Sequence, residues 1–264
     1  MVMRKIVFLL SIVFVSCEDV ITVDLSQTPE QVVIDAELSR PQGGGAAQLR
    51  VLVTKTTDYY SADIIIVDDA SVSLLFDNQV LFANHTEGGE YLLDVPEITI
   101  DKEYQLVVDV DGVLYTATEE LILSGTFDRV VQGDGQLFSG NETEALITLT
   151  DRPGLGNYYL FDFSYNNLFV TRDRFYDGQQ FTFSFFYDDL FPKNEEVVIR
   201  MVGIDEDFFT YMQILLSHSG QNGGGPFATA TSTLLGNFVS SEKESIALGY
   251  FRVVESSSLP FTAE

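Results

Sequence analysis

The residue best equipped for chemistry is Cys17, the single cysteine of the chain. Its sulfur is a nucleophile that can carry a thioether-linked lipid. Ser16, directly before it, is the small residue a signal peptidase needs. Arg4 and Lys5 give a basic start, and Ile6 to Val15 form an apolar run broken only by Ser11. The run is too short to span a bilayer and has the layout of a secretory signal. The pattern predicts cleavage before Cys17 and diacylation of its sulfur, although Phe14 stands where lipobox sequences usually carry Leu. A chain whose one thiol is acylated forms no disulfide.

The other reactive residue types do not assemble into a catalytic pattern. His85 and His218 are the only histidines and are far apart in sequence. There is no zinc spacing, and no Gly-x-Ser-x-Gly elbow stands beside a plausible base. The Gly-rich stretches 43–45 and 223–225 lack the lysine of a phosphate loop. Asp68-Asp69, Asp109 with Asp111, Asp188-Asp189 and Asp205-Glu206-Asp207 raise the question of calcium. None follows the loop that supplies ligands at alternate positions with a central glycine and a terminal Glu. The second group reads as a turn and the last as a helix start. Neither a metal nor a cofactor is expected, and a non-catalytic role follows.

Recognition is better represented. Of 33 Phe and Tyr, 14 fall within residues 158–191. Tyr159, Phe161, Phe163 and Tyr165 share one strand face, and Phe181, Phe183, Phe185 and Tyr187 share another. The spacing predicts an aromatic core, stacked across a sheet if these two strands pair. The alternative is that part of a face is exposed as a platform for a sugar, peptide or partner, the sugar version being weakened by the absence of tryptophan. Between them, Asn166 to Gly178 reads as a long connection. It carries Phe169, Arg172, Arg174, Phe175 and Tyr176, the candidate contacts for a ligand or partner. Asp173 and Asp177 are near enough in sequence to pair with the arginines, so a loop held together by its own ion pairs is the competing account.

These residues need a β scaffold. Residues 1–16 are the expected signal peptide, and 17–30, with Thr28-Pro29, a lipidated tether. From 31 to 123, short alternating runs divided by turn signals predict an immunoglobulin-like sandwich, with Asp111-Gly112 as a two-residue hairpin turn. From 124 to 264 a second β-rich domain is expected. Its strands are Glu144–Thr150, Asn157–Tyr165, Gln180–Tyr187 and Val197–Ile204, and it has one helix after Asp205. In that helix Phe208, Tyr211, Met212, Leu215 and Leu216 repeat at helical spacing until Gly220 to Gly225 stops it. Leu234–Val239 and Ile246–Val254 read as a closing hairpin. The expected fold class is mainly β.

Charge narrows the partners. Removing residues 1–16 takes away only Arg4 and Lys5, leaving 12 basic against 40 acidic residues and a net charge of −28. Nucleic acid and anionic lipid surfaces would repel such a chain, so membrane attachment falls to the lipid.

Several short motifs together resemble a known family. They are Thr148-Leu-Thr-Asp151 with Asn157-Tyr-Tyr159, Arg172-Asp-Arg-Phe-Tyr-Asp-Gly178, the acidic helix start with Tyr211, Gly225-Pro-Phe227, Gly236-Asn237 and Ala247-Leu-Gly-Tyr-Phe251. In order and spacing they resemble DUF4249, a domain of unknown function found in outer-membrane lipoproteins of Bacteroidetes. Ala70-Ser-Val-Ser-Leu74 and Gly89-Glu-Tyr-Leu92 resemble strands of carboxypeptidase-regulatory-like sandwiches. Glu18 and Asp19, just after the cysteine, resemble a surface-export signal of that phylum. The resemblance implies a lipid-anchored, surface-facing outer-membrane protein beside a TonB-dependent transporter, and it carries over no functional residue. A surface adhesin or structural protein and a secreted hydrolase are the alternatives.

Overall fold

Alternation of inward apolar and outward polar residues shapes the first half. Its strands are β1 (Val32–Pro41), β2 (Ala47–Lys55), β3 (Ile65–Ile66), β4 (Ser71–Phe76), β5 (Gln79–Phe82), β6 (Asn84–His85), β7 (Glu90–Val95), β8 (Glu103–Val110) and β9 (Val113–Glu120). Ile34, Ala36 and Leu38 of β1 and Leu49, Val51 and Val53 of β2 share one core with Leu106 and Val108 of β8. That is the period of two that a half-buried strand requires. Asp111 and Gly112 both adopt left-handed backbone, with φ of 55° and 86°, and close β8 onto β9 as the sequence predicts. Asp77 and Asn78, with φ of 48° and 59°, turn β4 into β5 in the same way.

The second half contributes β10 (Thr126–Gln132), β11 (Thr143–Thr150), β12 (Tyr158–Asp162), β13 (Leu168–Arg172), β14 (Gln180–Tyr187), β15 (Glu196–Ile204), helix α1 (Glu206–His218), β16 (Val239–Ser240) and β17 (Ala247–Thr262). The computed structural model describes residues 29–58, 61, 63–135, 137, 140–188, 190–219, 234–243 and 245–264. The signal peptide, Cys17, Glu18-Asp19, Gly225-Pro-Phe227 and the stretch that ends the helix lie outside the described residues. Among those described, no helix is long and apolar enough to cross a membrane. Asp205 caps α1 by accepting from the Phe208 N–H at 2.6 Å, with Glu206 and Asp207 at the positive end. The helix buries Phe208, Phe209, Met212 and Leu216 against Leu160, Val202 and Tyr250 on the outer face of a large sheet.

That sheet has nine strands in the order β13-β12-β15-β17-β1-β2-β7-β6, with β3 joined to β2. A five-stranded sheet, β16-β9-β8-β4-β5, packs on its β1–β2 end, and a three-stranded sheet, β10-β11-β14, packs on its β12–β15 end. The sixteen-residue β17 links the two ends. It runs parallel to β1 from Ala247 to Ser256 and antiparallel to β15 from Ser256 to Thr262. The large sheet is thus continuous across the division expected at 123/124. The expected closing hairpin does not form, because β16 pairs with β9 while β17 inserts beside β1.

The aromatic strands form a core, as the spacing predicts, but not by pairing with each other. β12 and β14 are not neighbours in one sheet but lie in opposing sheets, so their rings meet face to face. Phe163 stacks on Phe185 with centroids 3.8 Å apart, and Phe161 meets Phe183 edge-on at 5.3 Å. Tyr165 leaves the core because Ser164, Tyr165 and Asn166 all turn left-handed, and its hydroxyl donates to Glu195 at 2.7 Å. The stretch expected as one long connection contains β13, paired with β12 and forming the outer edge of the nine-stranded sheet.

Candidate functional site

The site grows from the turn that joins β13 to β14. Two short segments, 151–157 and 173–178, are held together by three aspartates. Asp173 accepts from the N–H groups of Gly156 and Asn157 at 3.0 and 3.1 Å, and Asp177 accepts from Gly154 N–H at 2.7 Å. Asp151 accepts from Gly178 N–H at 2.8 Å and from the hydroxyl of buried Tyr159. Burial, together with that bond to Asp151, pushes the Tyr159 phenol well above its ordinary range. Carboxylate oxygens of the three aspartates lie within 4.8 Å of one another, the spacing a cation would need. The N–H donors already engage them, and they act as a polar clasp on backbone that has no sheet partner. None of the three is in an acidic group singled out from the sequence. The available signal was an Asp on each side of a Pro- and Gly-containing loop, too common a pattern to select them.

The clasp fixes one end of an open groove of about 600 Å³ between β13 and β14. Phe169, Arg172, Arg174, Phe175 and Tyr176, the five residues predicted as contacts, all line it. Phe181 and Phe183, from the aromatic face of β14, and Phe209 from α1, which the sequence does not single out, complete its wall. The rings form a ladder. Tyr176 stacks on Phe181 at 4.6 Å and 8°, Phe181 lies 6.1 Å from Phe183, and Phe183 lies 5.7 Å from Phe169. Tyr176 is mainly a core residue, 6% exposed, with its hydroxyl 3.0 Å from that of Thr171. Phe175 is 86% exposed, and the Arg174 guanidinium sits 5.4 Å above its ring.

The loop does not hold itself together by arginine–aspartate pairs. Among the described residues, neither Arg172 nor Arg174 has a carboxylate within salt-bridge distance. Their expected partners, Asp173 and Asp177, are turned onto backbone amides instead. By contrast, Arg40, Arg50, Arg200 and Arg252 are each paired.

The remaining chemistry-bearing residues are scattered and structural. His85 contacts Asp68 at 3.0 Å on β6, at the far end of the sheet from α1, which His218 closes. Asp109 accepts from Gly112 N–H inside its turn. Glu37 lies between Arg252 and Arg200. Burial opposes its ionisation, but the two guanidiniums override that and lower its pKa to about 2. Burial raises Glu119 to about 7, against the bond that Asn237 donates to it at 2.6 Å.

The fold is a double β-sandwich sharing one long sheet, with an aromatic groove at the open edge of the second. The chain belongs to the family described as Domain of unknown function (DUF4249), whose model matches residues 18–259. No curated protein matches it.

Proposed function

We propose that this chain is a non-catalytic binding protein of the cell envelope, tethered outward from the outer membrane by lipid on Cys17. It takes a ligand into the β13–β14 groove and works beside a TonB-dependent transporter. The observation that carries this reading is the groove itself, an aromatic wall on a β scaffold with two guanidiniums that have no carboxylate partner among the described residues. Binding residues characteristically occupy such loops and edges. The signal layout ending at Cys17 supports the tether, and the acidic mature chain supports a lipid over a basic patch.

Hydrolysis is less well supported. Two carboxyls raised by burial, Glu119 and Asp205, lie away from the groove lining. One faces Asn237 and the other caps α1, so each has a structural occupation. The test is purification from native membranes in mild detergent. The expected result is a mature terminus acylated on Cys17 and a co-purifying outer-membrane transporter, with Cys17→Ser releasing the protein from the membrane fraction. An unacylated terminus, or a lone monomer with no transporter, would sink the proposal.

A further inference from the structure

We infer that the groove ligand is a flat aromatic anion of two or three rings carrying a carboxylate or sulfonate. This rests on the reading of the groove as a binding site and goes further by naming what fills it. The charge comes first. Among the described residues, no acidic side chain lines this groove or pairs with Arg172 or Arg174, which leave two positive groups at its mouth in a chain with 40 acids and 14 bases. The nearest acids in sequence are fixed on the amides of residues 154–157, so these guanidiniums keep their donors for a ligand. A guanidinium pairs with a carboxylate or sulfonate through two parallel N–H donors.

The wall sets the shape. Tyr176, Phe181 and Phe183 stand as a nearly parallel ladder, and Phe169 and Phe175 flank it. Planar rings stack or meet edge-on against such a surface, with a guanidinium packing over the face. The volume lies within the range of small-molecule sites and is ample for two or three fused rings.

Neutral polar ligands fit less well, because the lining hydroxyls are already engaged. Thr171 and Tyr176 bond each other, and Ser184 donates to Glu144 at 2.5 Å. A sugar would leave its hydroxyls without partners there. Among the described lining side chains, the two arginines are left to read polarity.

The test titrates the full mature chain with two fluorescent probes, anionic 8-anilinonaphthalene-1-sulfonate and neutral N-phenyl-1-naphthylamine. The expected result is one site for the anion, displaced by 2-naphthoate and not by 2-naphthylmethanol. Arg172→Gln with Arg174→Gln should weaken the anion about tenfold or more and leave the neutral probe unchanged. Phe175→Ala, on an exposed side chain, should weaken both. Unchanged thermal unfolding of each variant separates lost contacts from lost fold. Equal binding of both probes, insensitive to the arginines, overturns the anionic class while leaving the groove a binding site. Binding of neither probe overturns both. Displacement by an acidic peptide but not by 2-naphthoate overturns the small-molecule assignment.

Discussion

At the scale of single residues, Glu119 shows how a junction charges its occupants. It sits on β9 beside Asn237, with Asp205 and Asp207 of the helix start nearby. Burial raises its pKa from 4.5 to about 7, and those neighbouring carboxylates add to the shift. The folded protein therefore holds this proton more tightly than the unfolded chain. Linkage then makes the contribution of Glu119 fall as pH rises from about 4.5 to about 7, and above that the fold bears an unfavourable charge. Glu119→Gln keeps an acceptor for Asn237 and removes the charge. The variant should match the wild type near pH 4.5 and exceed it at pH 8 by about 1–2 kcal/mol once solvent screening is allowed for. Chemical unfolding across that range checks it, and parallel curves for the two proteins would refute the assignment. Glu37 behaves in the opposite sense, its depressed pKa giving stability that is lost only as pH falls from 4.5 toward 2.

At the scale of elements, what the sequence reveals depends on how local the cause is. The Asp111-Gly112 hairpin and the Asp205-capped helix were legible because a few adjacent residues determine them. The groove was half legible. Phe169, Arg172, Arg174 and Phe175 announce themselves by type, whereas the Phe181–Phe183 face fits a core as well as an exposed platform, and alternation along a strand does not decide between them. The arginines looked paired because proximity in sequence says nothing of where Asp173 and Asp177 point. The closing hairpin failed for a different reason. The Asn237 side chain imitates a strand by donating to Phe251 O at 2.8 Å and accepting from Phe251 N–H at 2.9 Å. That contact brings Gly236 so close that an added Cβ would lie 1.4 Å from Gly249 O. Gly236→Ala should therefore cost about 3 kcal/mol or more, because backbone and not a flexible side chain must yield. Gly44→Ala, at positive φ but in open space, should cost only about 1 kcal/mol. Urea midpoints of the two variants decide this, and equal losses would show that the Gly236 contact is not tight.

At the scale of the whole molecule, the decisive element is the strand that arrives last. β17 brings Ala247, Phe251 and Val253 into the core of the first sandwich and Phe261 into that of the second. Its Glu255, almost wholly buried, ties the crossing together. It accepts from Arg40 of β1 at 3.0 Å, from Gly43 N–H at 3.1 Å and from Ser124 N–H at 3.2 Å where the chain passes between halves. Ile122 pairs with the same strand, its N–H donating to Val253 O at 3.0 Å and its carbonyl accepting from Glu255 N–H at 2.9 Å. The two cores fall on either side of 123/124 except where β17 crosses, and the large sheet runs on through that division. A fragment of residues 29–124 would leave one edge of β1 without the ten-residue ladder that β17 supplies, and would open the core beside Ile34 and Ala36. It should show no cooperative melting, whereas the mature chain should unfold in one transition followed equally by near- and far-ultraviolet circular dichroism. A fragment that melts sharply near the temperature of the full chain would mean that the first sandwich stands alone and that β17 only decorates it. Loss of the transition, restored by adding a 245–264 peptide, would show that the N-terminal half waits on the C-terminal strand to complete its sheet.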